Sequence, residues 1–136
     1  MPEQPRFVLD TSAILALRGE EGGARRVEEV LRWGRAGRAR VLLSFMTRME
    51  LLYRIAADEG WDEAASVVRL VDAAGIEWIS CTAAILEEAA RLKAQGGLSV
   101  ADSWIAATAA VHAATLVHKD PEFARARRVR QERLRG

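Results

Sequence analysis

Apolar and polar positions along the chain follow two different spacings. Short, almost continuously apolar runs indicate buried β-strands; they lie at 6–9, 41–43, 76–79 and 115–118. Between these runs, apolar residues recur every three or four positions, which is the spacing of a helix with one apolar face. The helices predicted in this way are 11–17, 24–37, 46–60, 61–74, 83–94 and 99–113. A short helix is expected after Asp120-Pro121, and 129–134 fits either an edge strand or a frayed helix.

Strands that alternate with helices and are apolar throughout are typical of a parallel sheet covered on both faces. The pattern contains no repeat and no linker, and 136 residues is the size of one domain. We therefore predict a single domain over residues 1–136. It belongs to the α/β class, with three α/β/α layers and a central, mostly parallel sheet of four or five strands.

Composition narrows the class of protein. Half of the residues are apolar and 29% are charged, which is typical of a folded globular chain. The single cysteine, Cys81, excludes an internal disulfide, and we expect it in the core near a strand end. The first apolar stretch, 7–17, carries Asp10 and lacks the basic leader of an export signal, and no run is long enough for a membrane helix. A cytoplasmic protein without membrane association is predicted.

The net charge is only +1, but the charges are unevenly distributed. Between Lys119 and Arg135 the chain has seven basic and three acidic residues, and six further arginines lie between Arg25 and Arg40. Such groups can follow the phosphates of a nucleic acid. A solvated, arginine-rich surface is the alternative interpretation, because the signal is only compositional.

Four acidic residues are candidates for a shared site. Asp10 directly follows the first predicted strand, and Asp120 follows the fourth with one residue between. The carboxyl ends of parallel strands meet at one edge of a sheet, where ligands bind. Glu50 borders the apolar face of its helix, and Asp102 lies in the first turns of a very apolar helix.

Each acid also has a simpler, local interpretation. These interpretations are a turn begun by Asp10, an ion pair of Glu50 with Arg54, a capping box from Ser99 to Asp102, and an N-cap at Asp120. They do not explain why two strands of one sheet end in aspartate. Four clustered carboxylates, by contrast, require a cation, because like charges disfavour one another's ionised forms. Mg²⁺ prefers oxygen ligands, and Mn²⁺ is an alternative. Metal-assisted phosphodiester hydrolysis is the predicted reaction.

Four segments resemble, in order and spacing, the motifs of PIN-domain nucleases. They are Phe7–Leu15 (FVLDTSAIL), Thr47–Leu51 (TRMEL), Leu98–Ala109 (LSVADSWIAATA) and Leu116–Phe123 (LVHKDPEF). The compact length is similar to that of VapC-type toxins of bacterial toxin–antitoxin pairs. The resemblance implies a metal-dependent endoribonuclease whose metal-site acids are Asp10, Glu50, Asp102 and Asp120. It also implies a transfer or ribosomal RNA loop as substrate, a homodimer, and a cognate antitoxin whose tail occupies the active groove.

The resemblance also points to residues around the substrate. The candidates are Ser12, Thr11, Arg48, Lys119 and His118. His118 stands where the family often has Thr or Ser, and Glu122 where it often has a second Asp. His118 could donate to a phosphate or change the pH response of the site, and the alternative is that it is a strand-end histidine without a catalytic role. Glu122 fits either an outer metal ligand or, as we favour, a solvated helix residue.

Other functions remain open at this point. A haloacid-dehalogenase-like phosphotransferase would need a second Asp where Ser12 stands, and a receiver-like domain would need an acid where Thr11 stands. A PIN fold that binds RNA or protein without cutting, and an RNA-processing PIN nuclease without an antitoxin, are the further alternatives.

Overall fold

The computed structural model describes residues 4–136. Within this range the five strands are β1 Arg6–Leu9, β2 Arg40–Ser44, β3 Glu77–Ile79, β4 Thr115–His118 and β5 Gln131–Arg133. The α-helices are α1 Thr11–Arg18, α2 Ala24–Arg35, α3 Phe45–Glu59, α4 Trp61–Asp72, α5 Ala83–Gln95 and α6 Val100–Val111, and Pro121–Arg125 forms a 3₁₀ helix. Among the residues described, no helix combines the length and apolar character needed to cross a membrane. Residues 1–3 of the predicted domain lie outside the described range.

The five strands form one fully parallel sheet in the order β3-β2-β1-β4-β5. The chain therefore starts in the middle of the sheet, builds outward to β3, and then crosses over to the other side of β1. This reversal places a topological switch point between β1 and β4, and the crevice at the carboxyl ends of these two strands is where such sheets bind ligands.

Alternate side chains of the strands build two separate cores. Phe7 and Leu9 pack with apolar residues of α1, α2, α3 and α4 on one face, and Val8 packs with those of α5 and α6 on the other. All three side chains are buried, as expected for the central strand of a sheet covered on both sides. The predicted three-layer α/β/α class with a parallel sheet of four or five strands is confirmed.

The end of the chain, which is ambiguous by sequence, forms the edge strand β5. The backbone N–H of Leu116 donates to the Arg130 carbonyl over 2.8 Å, and that of Leu134 donates to the His118 carbonyl over 2.7 Å. The side chains of Val129 and Leu134 are buried on either side of the strand. These apolar contacts hold β5 in register beside β4.

The prediction that Cys81 lies in the core is wrong. β3 is a three-residue edge strand that ends at Ile79, so Cys81 follows the sheet instead of belonging to it. Its side chain is exposed and forms no disulfide.

Candidate active site

Four acidic side chains come from four different elements to the carboxyl edge of the sheet. Asp10 directly follows β1, and its backbone N–H donates to the carbonyl of Val117 in β4 over 2.9 Å. Asp120 lies two residues beyond β4, Glu50 lies on α3, and Asp102 lies in the first turn of α6. Their charges affect one another. Those of Glu50 and Asp120 raise the pKa of Asp10, and those of Asp10 and Asp120 raise the pKa of Asp102.

Asp10 is the N-cap of α1 and is only 3% exposed. Its Oδ2 accepts the backbone N–H of Ser12 over 3.0 Å and also the Ser12 hydroxyl. Burial raises the pKa of Asp10 to about 6, although the two hydrogen bonds from Ser12 act in the opposite direction. Because both bonds end on Oδ2, the cap fixes the carboxylate while Oδ1 forms no hydrogen bond within the described residues.

Asp102 is buried at the start of α6, where its backbone N–H donates to Ser99 Oγ over 3.0 Å. Burial is the main cause that raises its pKa to about 8, followed by repulsion from Asp10. A hydrogen bond with the Glu122 side chain acts in the same direction, because it favours a proton on Asp102. Ser99 thus caps the helix as in the predicted capping box, but in the described residues the Asp102 carboxylate does not bond back to the Ser99 N–H, which leaves it available to the site.

Glu122 joins the acidic cluster. Asp120 caps the 3₁₀ helix, and its Oδ1 accepts the backbone N–H of Glu122 over 2.9 Å. This turn points the Glu122 side chain back toward α6. One carboxylate oxygen each of Asp102, Asp120 and Glu122 lies within 4.8 Å of the other two. Glu122 is exposed, as a solvated helix residue would be, yet its position is also that of an outer ligand.

Asp10 and Glu50 lie outside this group of three carboxylates, and Glu50 accepts a hydrogen bond from Thr11. Thr11 Oγ1 lies 2.7 Å from Glu50 Oε1 and 3.1 Å from Thr47 Oγ1. A carboxylate only accepts, so the single Thr11 proton goes to Glu50, and Thr47 can donate to Thr11. Within residues 4–136, Glu50 forms no ion pair with Arg54. The buried Thr11 side chain therefore orients the Glu50 carboxylate.

Two of the predicted substrate residues lie beneath the acids as supports. Ser12 Oγ accepts the backbone N–H of Lys119 over 2.9 Å and so links Asp10 to the end of β4. His118 is 2% exposed, and burial lowers the pKa of its imidazole. Both ring nitrogens are engaged, one with Gln131 and the other with the backbone of Asp120. This position does not support a direct contact of His118 with a phosphate.

The two predicted substrate-binding cations, Arg48 and Lys119, are each paired with an acid of the chain. Arg48 lies 3.1 Å from Asp72 and stacks over the Trp78 ring at 5.1 Å, which turns it toward β3. Lys119 Nζ lies 3.2 Å from Glu21. A substrate would have to compete with these exposed pairs, each of which is weak.

A family comparison agrees with this geometry. The model of the PIN domain family matches residues 7–129. This chain belongs to the PIN domain family. The match spans all four acids and both strands of the switch point.

Solved structures with the same fold include proteins of toxin–antitoxin systems. VapBC2 from Rickettsia felis, bound to a DNA fragment from its promoter, superposes with a TM-score of 0.78 at 18% identity and covers 96% of this chain and 99% of that one. VapBC-1 from nontypeable Haemophilus influenzae superposes with a TM-score of 0.75 at 23% identity, and the alignment covers 94% of this chain and 97% of that one. VapC20 from Mycobacterium tuberculosis, described as a Sarcin-Ricin loop cleaving toxin, superposes with a TM-score of 0.66 at 14% identity. The alignment covers 88% of this chain and 94% of that one. These TM-scores establish a shared fold. No curated protein matches the sequence significantly.

The carboxylates of this PIN domain fit a divalent cation. In the described part of the chain, no Lys or Arg forms an ion pair with Asp10, Asp102, Asp120 or Glu122. Burial and mutual repulsion are therefore not offset by a cationic side chain, and the raised pKa values of Asp10 and Asp102 reflect this. A set of carboxylate oxygens without nitrogen or sulfur donors suits Mg²⁺ or Mn²⁺.

Proposed function

We propose that this PIN domain is a metal-dependent endoribonuclease that acts in the cytoplasm as the toxin of a toxin–antitoxin pair. The observation that carries the proposal is the convergence of uncompensated, partly buried carboxylates from four elements at the switch point of the sheet. A protein that used these acids only as helix caps would have no reason to place them together, because each pair of like charges costs stability.

The cation would be held by Asp10, Asp102, Asp120 and Glu50, and Glu122, which has a carboxylate oxygen within 4.8 Å of those of Asp102 and Asp120, is a further candidate ligand. Magnesium is the proposed ion and manganese the alternative, since both take carboxylate and water ligands. When bound, such an ion lowers the pKa of a water and neutralises charge that develops on a phosphodiester. The chain itself contributes the fixed orientation of its acids, through Ser12 for Asp10 and Thr11 for Glu50.

The basic end of the chain supports RNA as the substrate. β5 is parallel to β4, so Arg133 and Arg135 lie at the same edge of the sheet as Asp120. Both arginines are exposed, and neither has an acidic partner within residues 4–136. The acid that directly precedes Arg133 in this strand, Glu132, pairs instead with Arg26 over 2.7 Å. Free guanidinium groups beside the acidic cluster provide phosphate contacts on one side of it.

Partners of two kinds belong to the proposal: a cognate antitoxin and a second copy of this chain. The structural neighbours include VapBC toxin–antitoxin complexes, which supports the first. Several large apolar side chains are more than half exposed, including Met49, Trp61 and Leu70, and surfaces of this kind are commonly covered by a partner. A loop of transfer or ribosomal RNA is the proposed target, in keeping with the description of VapC20.

Cleavage-site mapping on total cellular RNA tests the enzyme directly. Wild-type protein with Mg²⁺ is expected to produce a small set of new RNA 5′ ends, which disappear with EDTA and in Asp10→Asn. Equal cleavage by Asp10→Asn would contradict the proposed site. No cleavage by any sample, with RNA binding retained, would favour a non-catalytic PIN module. An adjacent gene for a small DNA-binding protein would distinguish a toxin from an RNA-processing nuclease.

A further inference from the structure

A buried hydrogen-bond network lies directly beneath Asp120. His118, the last residue of β4, is 2% exposed. Its Nε2 lies 2.9 Å from Gln131 Oε1 on the neighbouring strand β5, and its Nδ1 lies 3.2 Å from the backbone nitrogen of Asp120. The amide nitrogen of Gln131 continues the network to the carbonyls of Phe123 and Ala126, over 2.7 and 2.9 Å.

The direction of every bond in this network follows from the two carbonyls. Carbonyl oxygens only accept, so the Gln131 NH₂ group must face Phe123 and Ala126. Gln131 Oε1 then faces His118 and can only accept, so the histidine carries its proton on Nε2. The lone pair left on Nδ1 accepts the backbone N–H of Asp120. Only the neutral Nε2–H tautomer of His118 satisfies all four bonds.

The network acts on the backbone that carries a metal-site acid. The N–H of Lys119 ends on Ser12 Oγ, and the next N–H, that of Asp120, ends on His118 Nδ1. The backbone N–H groups of the two residues that follow β4 are therefore each bonded to a side chain, one from α1 and one from β4. The Asp120 carboxylate is held in turn by the N–H of Glu122. Little freedom remains for the direction in which this carboxylate points.

We propose that His118 and Gln131 are positioning residues that orient Asp120 toward the cation, an inference that rests on the proposed metal-dependent function. His118 links β5 to the backbone of Asp120, because it bonds to Gln131 through Nε2 and to the Asp120 N–H through Nδ1. Gln131 fixes the tautomer in which Nδ1 is an acceptor. Partners of this kind behind a metal ligand typically contribute 10–100-fold to metal affinity.

The alternative is that His118 only fills space, since its ring packs against Phe123 at a centroid distance of 4.9 Å. Matched variants separate the two roles. His118→Phe keeps a flat ring without nitrogens, His118→Asn keeps an acceptor near the Nδ1 position, and Gln131→Met keeps the volume of Gln131 without its amide. Val30→Ala is the control for stability alone, because Val30 is buried in α2, outside the segment around β5, and its side chain has no polar group.

Two quantities are measured for each variant. The Mn²⁺ dissociation constant is measured by electron paramagnetic resonance at a temperature well below the melting temperature, and the melting temperature is measured separately. We expect His118→Phe and Gln131→Met to weaken Mn²⁺ binding by about tenfold or more, and His118→Asn to recover part of this loss. Val30→Ala should lower the melting temperature and leave the dissociation constant unchanged. Nitrogen-15 spectra of the metal-free wild type should show the His118 proton on Nε2.

Two outcomes would overturn the inference. One is Mn²⁺ binding by His118→Phe and Gln131→Met that equals wild type, and the other is a proton on Nδ1 of His118 in the wild type. RNA cleavage by the wild type in either case would leave the proposed nuclease intact. Conversely, weaker Mn²⁺ binding by the variants without any RNA cleavage by the wild type would support the positioning role and remove the ribonuclease.

Discussion

Asp10 accepts the backbone N–H of Ser12 on Oδ2, over 3.0 Å, while its second carboxylate oxygen forms no hydrogen bond in the described part of the chain. One side chain thus begins a helix and also serves the acidic cluster. Asp120 does the same with its Oδ1 and the N–H of Glu122. Capping therefore occupies one oxygen of each carboxylate and leaves the other for the proposed cation, so the two roles need not compete.

This division predicts a clean loss-of-function variant. Asparagine caps helices about as well as aspartate, and the substitution also removes a buried charge whose pKa is raised, so Asp10→Asn should not lower the free energy of unfolding of the metal-free protein. The substitution removes a charged ligand from the site, so RNA cleavage should fall by at least about 100-fold, given the several kcal/mol that a catalytic ion supplies. Urea unfolding and cleavage of total RNA, measured on the same preparation, check both values. A variant that loses activity by unfolding would contradict the cap.

The contribution of Asp10 and Asp102 to the stability of the metal-free protein should decrease between about pH 4 and pH 8, whereas the lowered pKa values of His112 and His118 act in the opposite direction. The pKa of Asp10 is raised to about 6 and that of Asp102 to about 8, both from 3.8. In this window these two carboxyl groups hold more protons in the folded state than in the unfolded state, so their contribution to folding becomes less favourable as the pH rises. Mg²⁺ displaces these protons, and the increase in melting temperature that it causes should be larger at pH 8 than at pH 5.5. Asp102→Asn should weaken both effects, and a pH dependence of stability that is the same in wild type and Asp102→Asn would contradict the raised pKa of Asp102.

Arg133 and Arg135 should contribute phosphate contacts. In an Asp10→Asn background, which binds without cutting, each alanine substitution should weaken binding of single-stranded RNA. It should also lower the slope of log affinity against log salt by about 0.7. Arg38→Ala is a matched control, because Arg38 is exposed just before β2, at the opposite edge of the sheet. Equal losses with all three variants would indicate nonspecific attraction by net charge.

Glu122→Gln tests whether this residue is a ligand or a bystander. Its backbone N–H, not its side chain, bonds to Asp120, so the turn should survive the substitution. The change removes a negative charge beside Asp102 and should lower the pKa of that residue, which hydrogen bonding to Glu122 raises. We expect Mn²⁺ affinity to decrease less than in Asp120→Asn. A calorimetric titration of both variants compares them, and an affinity equal to wild type would make Glu122 a solvated residue only.

The sequence places two of the candidate acids because strand ends determine their positions. A buried parallel strand is an apolar run, its end is visible, and Asp10 and Asp120 stand at two such ends. The position of Glu122 was not predictable in the same way, because it depends on how the 3₁₀ helix turns after Asp120. The supporting role of His118 depends on Gln131, which lies on a strand too short and polar to be recognised by alternation.

The central position of β1 has a consequence for how activity arises during synthesis and folding. Asp10 and Glu50 belong to the first half of the chain, but Asp102 and Asp120 reach them only after the chain has crossed over and β4 has paired with β1. A truncated or partly unfolded product has the early acids without the late ones and cannot enclose an ion. Cutting activity should therefore arise only in finished molecules, so aborted translation products would be harmless to the RNA around them.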